Sequence, residues 1–178
     1  RNDPQQAAQQ WDKIRSKFSA ADRGYLYGQL GWQAALKHQP EALGWYAQAA
    51  GAPLSEEQLA WKARAALRAL DWAVVHEAIE QMPKAMQARP DWVYWLGRAH
   101  QALGRQEEAR GLYQRIAGQP SFYGNLADDE LGRPILPPAN APKPSSEDVR
   151  AVAALPGIRR ALALFRLDLR IEGIREWN

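Results

Sequence analysis

The sequence predicts an all-α protein built from paired helices, and three observations support this fold class. Threonine is absent and valine is scarce, whereas alanine, leucine, glutamine, arginine and glutamate dominate. The common residues favour helices, and the rare ones favour sheets. Helix-capping residues recur along the chain, and one set of residues returns after 66 or 67 positions.

Capping residues indicate where each helix begins. Serine and aspartate side chains accept hydrogen bonds from the free N–H groups of a first helical turn, and proline fits the first helical position. Ser55 with Gln58 three residues later has the pattern of a capping box. Together with apolar spacing, these signals predict helices at Asp3 to Phe18, Ser19 to Leu36, Pro40 to Gly51, Ser55 to Leu67, Asp71 to Met82, Pro90 to Leu103, Arg105 to Ala117 and Ser121 to Leu131.

One set of residues occurs twice in the chain. The first copy holds Leu30, Gly31, Leu36, Glu41, Ala42, Gly44, Tyr46 and Ala50, and the last copy holds Leu96, Gly97, Leu103, Glu108, Ala109, Gly111, Tyr113 and Ala117. The first two positions recur at an offset of 66 and the others at 67, which is twice a unit of about 33 or 34 residues. A degenerate middle copy carries Trp61, Arg64 and Ala65, which recur as Trp95, Arg98 and Ala99 at an offset of 34.

The last copy suggests a role for each repeated position. Leu96 and Gly97 let two helices approach, Gly104 makes the turn between them, Ala109 is small where they cross, and Tyr113 fills the space beside it. The period is that of tetratricopeptide hairpins, so the sequence predicts a superhelical stack of tetratricopeptide-like hairpins with a concave surface. Generic helical hairpins with coincident alanines are the alternative, and the combined offsets favour a true repeat.

The amino-acid composition changes after residue 132. The segment 133–144 holds five prolines in twelve residues, and no helix tolerates that density. We therefore predict a repeat domain at 1–132, a proline-rich linker at 133–144 and the start of a small helical domain at 145–178. Its helices are predicted to begin at Ser145, to be broken at Pro156-Gly157, and to continue from Ile158 to Leu167 and from Leu169 to Trp177. In this tail Leu167, Ile171, Ile174 and Trp177 are expected to be exposed and to pair with another chain.

Composition limits the possible functions. The chain has 178 residues, of which 46% are hydrophobic and 24% charged, enough to build a core. The net charge is +3, with acids and bases interspersed and no run of basic residues, so no nucleic-acid partner is predicted. No stretch has the length of a membrane span. The oligomeric state is left open. The chain begins at Arg1 rather than Met, which favours a processed or excised piece.

Few residues suggest chemistry. The chain has no cysteine, and His38, His76 and His100 are far apart without a shared ligand spacing, so neither a metal nor a cofactor is predicted. No nucleophile constellation, phosphate-binding loop or metalloprotease motif occurs. The acidic cluster Asp128-Asp129-Glu130 is interpreted as a cap or a solvated helix face, and no catalytic residue is assigned.

A short segment carries the most specific family signal. Phe122-Tyr123-Gly124, with Leu126-Ala127 and an acid-leucine-glycine sequence after it, resembles a stretch that closes the α-superhelical region of soluble lytic murein transglycosylases. The helices with tryptophan followed by arginine-alanine, at 61–67 and 92–99, look like the repeats of that region. The segment 155–161 looks like the linker domain that follows it. The resemblance covers nearly the whole chain.

The resemblance implies a periplasmic enzyme that cleaves peptidoglycan between N-acetylmuramic acid and N-acetylglucosamine and forms a 1,6-anhydromuramoyl end. In that family the catalytic glutamate lies in a C-terminal lysozyme-like domain, is followed by serine, and belongs to a module with a Gly-Leu-Met-Gln run. This sequence contains no Glu-Ser pair and no such run. We therefore expect a non-catalytic scaffold that ends inside the linker domain, with the glycan strand and the parent enzyme's catalytic domain as partners.

Two other functions remain open at this stage. An independent tetratricopeptide-like module would bind a peptide in its concave face, and an enzyme with an unrecognised site would need convergent titratable residues in a pocket. A peptide clamp requires polar residues along the inner helices, whereas those positions are mostly alanine, tryptophan and arginine. The pattern favours the scaffold.

Overall fold

The computed structural model describes residues 3–49, 51–136 and 140–178, and within these ranges the regular structure is helical, with no β-strand. The predicted all-α fold class is confirmed. The chain folds into two compact units, Arg1–Pro137 and Pro138–Asn178. The boundary between the units falls inside the proline-rich segment 133–144, of which residues 137–139 lie outside the described ranges, as does Ala50 of the first repeat copy.

The described part of the first unit contains nine α-helices. They are α1 (Pro4–Asp12), α2 (Ala20–Leu36), α3 (Ala42–Gln48), α4 (Glu56–Ala69), α5 (Trp72–Glu80), α6 (Lys84–Gln87), α7 (Pro90–Ala102), α8 (Gln106–Ile116) and α9 (Phe122–Glu130). Helices that are consecutive in sequence pack together, α2 on α3, α4 on α5 and α7 on α8, while α2 also contacts α4 and α5 contacts α7.

Most helices of this unit begin where a capping residue predicted them. The Ser19 and Ser55 side chains each accept a hydrogen bond from the third helical N–H, and both capping boxes are complete. Asp71 accepts from the Val74 N–H at 3.1 Å, and Ser121 accepts from the Gly124 N–H at 3.2 Å. Each such cap stabilises its helix by about 1 kcal/mol.

One prediction for this unit is wrong in detail, and one short helix has no counterpart in the sequence analysis. The first helix ends at Asp12, and a separate 3-10 helix follows at Arg15–Lys17. Ile14 and Phe18 therefore leave the apolar stripe and are exposed, although the Phe18 ring still contacts Trp11 with 5.0 Å between centroids. The four-residue helix α6 was not predicted, because so short a helix has no room for an apolar period.

Alanine forms much of the core of this unit. Ala63, Ala66 and Ala99 are fully buried and lie in one cluster with the fully buried Val75 and Ile79. Because a methyl group is small, the helices that carry these alanines pack closely. Each fully buried valine or isoleucine contributes about 1.5–3 kcal/mol to folding. Helix α5, which carries Val75 and Ile79, therefore stabilises this unit.

The second unit consists, in its described residues, of α10 (Ser146–Ala154), α11 (Pro156–Arg166) and α12 (Arg170–Trp177). Ser145 and Asp148 form the predicted capping box of α10. The predicted break at Pro156-Gly157 is wrong in register, because Pro156 is the first residue of α11. A proline is tolerated there since the N–H that it lacks has no partner within a helix.

The second unit leaves most of its apolar side chains exposed. Among its described residues only Ala161 and Gly173 are buried, and Gly173 lies under the Phe165 ring. The exposed apolar residues include Leu167, Ile171, Ile174 and Trp177, as the sequence predicted. Their pairing with another chain stays a prediction.

Candidate functional site

The first repeat copy places a glycine under a tyrosine ring. A Cβ built on Gly31 would lie 2.9 Å from the Tyr46 ring, so helix α2 and helix α3 cross closely only with glycine at that position. Ala42 and Leu30 are buried beside this crossing. Burial raises the pKa of Tyr46, and its hydroxyl donates to the Gln58 carbonyl oxygen at 3.0 Å.

The last repeat copy has the same arrangement between α7 and α8. A Cβ on Gly97 would lie 2.5 Å from the Tyr113 ring, and Ala109 and Leu96 are buried. Tyr113, whose pKa burial also raises, donates its hydroxyl to Gln101 Oε1 at 3.0 Å. Gly104 turns the chain between the two helices with a φ of 79°, in the left-handed region that glycine favours. The two copies therefore share a glycine–tyrosine crossing, while their assignment to the tetratricopeptide repeat stays a prediction.

The Phe122-Tyr123-Gly124 segment opens α9. Gly124 is the constrained residue, since a Cβ there would lie 2.2 Å from the Gln119 carbonyl oxygen. Tyr123 is half-buried and contacts Tyr94 on α7, with 5.8 Å between ring centroids, whereas Phe122 is 70% exposed. Two of the three residues therefore fix α9 against its neighbours, and the third presents an aromatic ring to solvent.

The interpretation of the acidic cluster at 128–130 as a cap or a solvated helix face does not hold for two of its three residues. Asp128 is buried and accepts a hydrogen bond from the Gly118 N–H at 2.9 Å. Glu130 lies 3.2 Å from an Arg98 nitrogen and accepts from the Tyr94 hydroxyl at 3.3 Å. Only Asp129 is exposed. The cause is the packing of α9 on both α7 and α8, which turns two of three acids inward.

The structure brings together two histidines that are 24 positions apart in the sequence. The His76 and His100 rings meet edge to face with centroids 4.9 Å apart, and Arg105 Nη1 lies 3.3 Å from His76 Nε2. Burial lowers the pKa of His100, and the nearby charges of His76 and Arg105 lower it further. Within the described ranges no group of three or more histidines and acids is arranged to hold a metal ion.

Arginine guanidinium groups lie over tryptophan rings at two corresponding repeat positions. The Arg64 guanidinium carbon lies 5.1 Å from the Trp61 ring centroid and 5.3 Å from that of Trp92. Arg98, the residue at the corresponding repeat position, lies 5.9 Å from the Trp72 ring centroid. Such contacts are worth about 0.5–1 kcal/mol when exposed, and they hold the rings in fixed orientations.

A groove of about 220 Å³ opens beside Trp61, between the α2–α3 loop and the end of α4. We call it the Arg68 groove, and its lining residues are His38, Gln39, Pro40, Ala42, Leu43, Ala65, Arg68 and Ala69. The His38 ring lies 6.3 Å from the Trp61 ring. None of these eight residues carries a carboxylate, so the charge of the lining is positive. No local sequence pattern predicts this groove, because its two walls come from separate helical pairs.

The described residues define an all-helical protein whose consecutive helices pack in pairs, with fixed aromatic crossings and a cationic groove. No helix in the described ranges is both long enough and apolar enough to cross a membrane. Comparison with known protein families gives no match, and comparison with curated protein sequences gives none either.

Comparison with solved structures gives a match along almost the entire chain. The X-ray structure of an inactive mutant of the lytic transglycosylase Slt from Pseudomonas aeruginosa is similar with a TM-score of 0.78 and 27% identity. The match covers 99% of this chain and 29% of that one. The chain is therefore related to the lytic transglycosylase family, and it spans less than a third of the length of the enzyme that it matches.

Proposed function

We propose that this chain is a non-catalytic helical scaffold of a periplasmic lytic transglycosylase that acts on peptidoglycan. The single observation that carries the proposal is the structural similarity to Slt, which extends over 99% of the chain. The match covers 29% of that enzyme. We therefore propose that this chain forms one part of a larger parent protein, and we assign the bond cleavage to the parent.

The proposed parent reaction cleaves the bond between N-acetylmuramic acid and N-acetylglucosamine and leaves a 1,6-anhydromuramoyl product. In the family that the sequence resembles, one glutamate followed by serine acts as acid and then base. No Glu-Ser pair occurs in this chain, which supports a contribution through surface rather than through a reacting group. The partners proposed are the glycan strand and the parent's catalytic domain.

The packing of the first unit suits such a role. A scaffold that guides a long polymer needs helices whose spacing does not change under load. Gly31 under Tyr46 and Gly97 under Tyr113 leave no free space at two helix crossings, and close packing of this kind resists deformation. The proposed function therefore depends on helix crossings where a single added methyl group would clash with a tyrosine ring.

A sedimentation experiment tests the proposal. The purified chain is mixed with insoluble peptidoglycan, with cellulose as the control polymer, and the supernatant is analysed by mass spectrometry. We expect the chain in the peptidoglycan pellet, no chain in the cellulose pellet, and no 1,6-anhydromuropeptides in the supernatant. Release of those products would overturn the non-catalytic role. A chain that stays in the supernatant would overturn the glycan contact and favour the peptide-binding module.

A further inference from the structure

We propose that the contact between His76 and Arg105 is a proton-sensitive link between two successive helical pairs, and that acid opens this link while the protein stays folded. The contact joins the turn between α7 and α8 to helix α5, which packs with α4 in the preceding pair. The inference does not rest on the proposed function, because it follows from side-chain contacts within the first unit.

The His76–Arg105 contact requires one protonation state of the histidine. Arg105 Nη1 lies 3.3 Å from His76 Nε2. A guanidinium group donates hydrogen bonds and accepts none, and it keeps its charge in proteins. His76 Nε2 is therefore the acceptor, and the neutral ring carries its proton on Nδ1. A second proton on Nε2 would bring two donors and two positive charges together, so the contact is lost when His76 becomes charged.

The second histidine adds to the positive charge at this junction. His100 on α7 meets the His76 ring edge to face with 4.9 Å between centroids. His100 Nδ1 is buried without a hydrogen-bond partner among the described residues. Burial lowers the pKa of His100, and the charges of His76 and Arg105 lower it further. The junction therefore brings three basic side chains together, and the arginine is charged at every pH near neutrality.

No acid in direct contact neutralises a charge on His76. Glu80 on α5 and Glu108 on α8 act on His100 from a distance and raise its pKa only in part. Neither acid forms an ion pair within the part of the chain that the structure describes. On the side of α4, Lys62 Nζ lies 2.9 Å from Glu77 Oε1 and already pairs with that carboxylate. Repulsion between the imidazolium and guanidinium groups is therefore expected to open the contact.

The turn between α7 and α8 depends on this contact for its attachment to α5. The Arg105 N–H donates to the His100 carbonyl oxygen at 2.9 Å and closes the end of α7. No side chain caps the start of α8. Gln106 Nε2 donates to the Gln101 carbonyl oxygen at 3.4 Å, but that bond stays within the α7–α8 pair. Loss of the His76 contact therefore makes local opening of the turn easier.

The two helical pairs stay together when the contact opens, because they also share an apolar core. Val75 and Ile79 on α5 are buried in one cluster with Leu96 and Ala99 on α7. None of these side chains titrates, so acid does not change their packing directly. The expected response is a reversible loosening of one turn in a folded protein.

Hydrogen exchange followed by NMR tests the inference on the full chain at pH 7.5 and pH 5.5, the range in which histidine changes charge. Protection is expressed relative to an unstructured peptide of the same sequence at the same pH, which removes the intrinsic pH dependence of exchange. The Arg105 N–H reports on the turn. The internal control is the Asp71 N–H, which closes the end of α4 by a similar bond to the Ala66 carbonyl oxygen at 3.0 Å.

We expect protection of the Arg105 N–H to fall about fivefold on acidification, the effect of losing one hydrogen bond, and protection of the Asp71 N–H to change by less than about twofold. His76→Gln keeps an acceptor but takes up no proton, so its protection is expected to stay high at both pH values. Arg105→Gln lacks the guanidinium group and is expected to show low protection at both. His38→Asn, which replaces a histidine outside the junction, is expected to behave like the unchanged chain. Far-UV circular dichroism checks that each variant folds.

Four results would overturn the inference. They are no loss of Arg105 protection in the unchanged chain, an equal loss in His76→Gln, an equal loss at the Asp71 N–H, and a loss that disappears in His100→Gln but persists in His76→Gln. The third result would show a global loss of stability, and the fourth would assign the effect to His100. None of them bears on sedimentation with peptidoglycan, so the proposed function is tested separately.

Discussion

Gly31 and Gly97 each lie under an aromatic ring that a single added methyl group would displace. The ring cannot move away freely, because the hydroxyl groups of Tyr46 and Tyr113 are held by hydrogen bonds of 3.0 Å. Two other helical glycines, Gly44 and Gly111, have no atom within 4 Å of a built Cβ. The chain therefore contains internal controls for the effect of glycine at a helix crossing.

We expect Gly97→Ala to lower stability by about 1–3 kcal/mol, because the new methyl group overlaps the Tyr113 ring in a packed core. Gly111→Ala, on the exposed face of α8, is expected to raise stability by about 0.5–1 kcal/mol, since alanine favours the helix more than glycine does. Urea denaturation followed by circular dichroism measures both. Opposite signs for the two variants support the close crossing, and a stabilising Gly97→Ala would contradict it.

At the scale of elements, α5, α7 and the start of α8 meet around the paired histidines. The groups that face His100 are His76 and Glu80 from α5, and Arg105 and Glu108 at the start of α8. Burial and the two positive neighbours lower the pKa of His100 below its ordinary value of 6.5, and the two acids oppose this only in part. The unfolded chain therefore binds a proton more readily than the folded chain as the pH falls below 6.5.

Because the unfolded state takes up more protons in this range, stability rises with pH and is lost on acidification. We expect Tm to fall between pH 7.5 and pH 5.5, and we expect the fall to be about 2 °C smaller in His100→Gln. The control is His38→Asn, at an exposed position where asparagine tolerates the positive φ. Differential scanning calorimetry at both pH values measures the effect. An equal fall in His100→Gln and in the unchanged chain would refute it.

The elements also show what a sequence can and cannot predict here. Ser19, Ser55 and Asp71 were identified as caps because a cap is a contact within three residues of the chain. The burial of Asp128 and the pairing of His76 with His100 depend on how α9, α7 and α5 pack, and no local pattern encodes those contacts. Local sequence signals therefore predict where helices begin. Contacts between titratable side chains on different helices are visible only in the folded structure.

At the scale of the whole molecule, the Arg68 groove also depends on contacts between helices that no local sequence pattern predicts. Arg68 and Trp61 belong to α4, and His38 belongs to the loop before α3, so the groove exists only once the two helical pairs have packed. The similarity to Slt extends over nearly the whole chain at 27% identity, so the fold is similar while most residues differ.

The two compact units are expected to differ sharply in intrinsic stability. The first unit buries several clusters of apolar residues, whereas only Ala161 and Gly173 are buried among the described residues of the second. A unit of about 40 residues without a metal or disulfide has difficulty forming a stable core.

We expect a fragment of residues 1–137 to melt cooperatively and a fragment of residues 138–178 to show no cooperative transition by circular dichroism. Gly97→Ala in the longer fragment is the internal check, because a packing-dependent transition must shift to a lower Tm. A sharp melting transition in the isolated 138–178 fragment would contradict the prediction, since it would require a core that the exposed Ile171, Ile174 and Trp177 do not form.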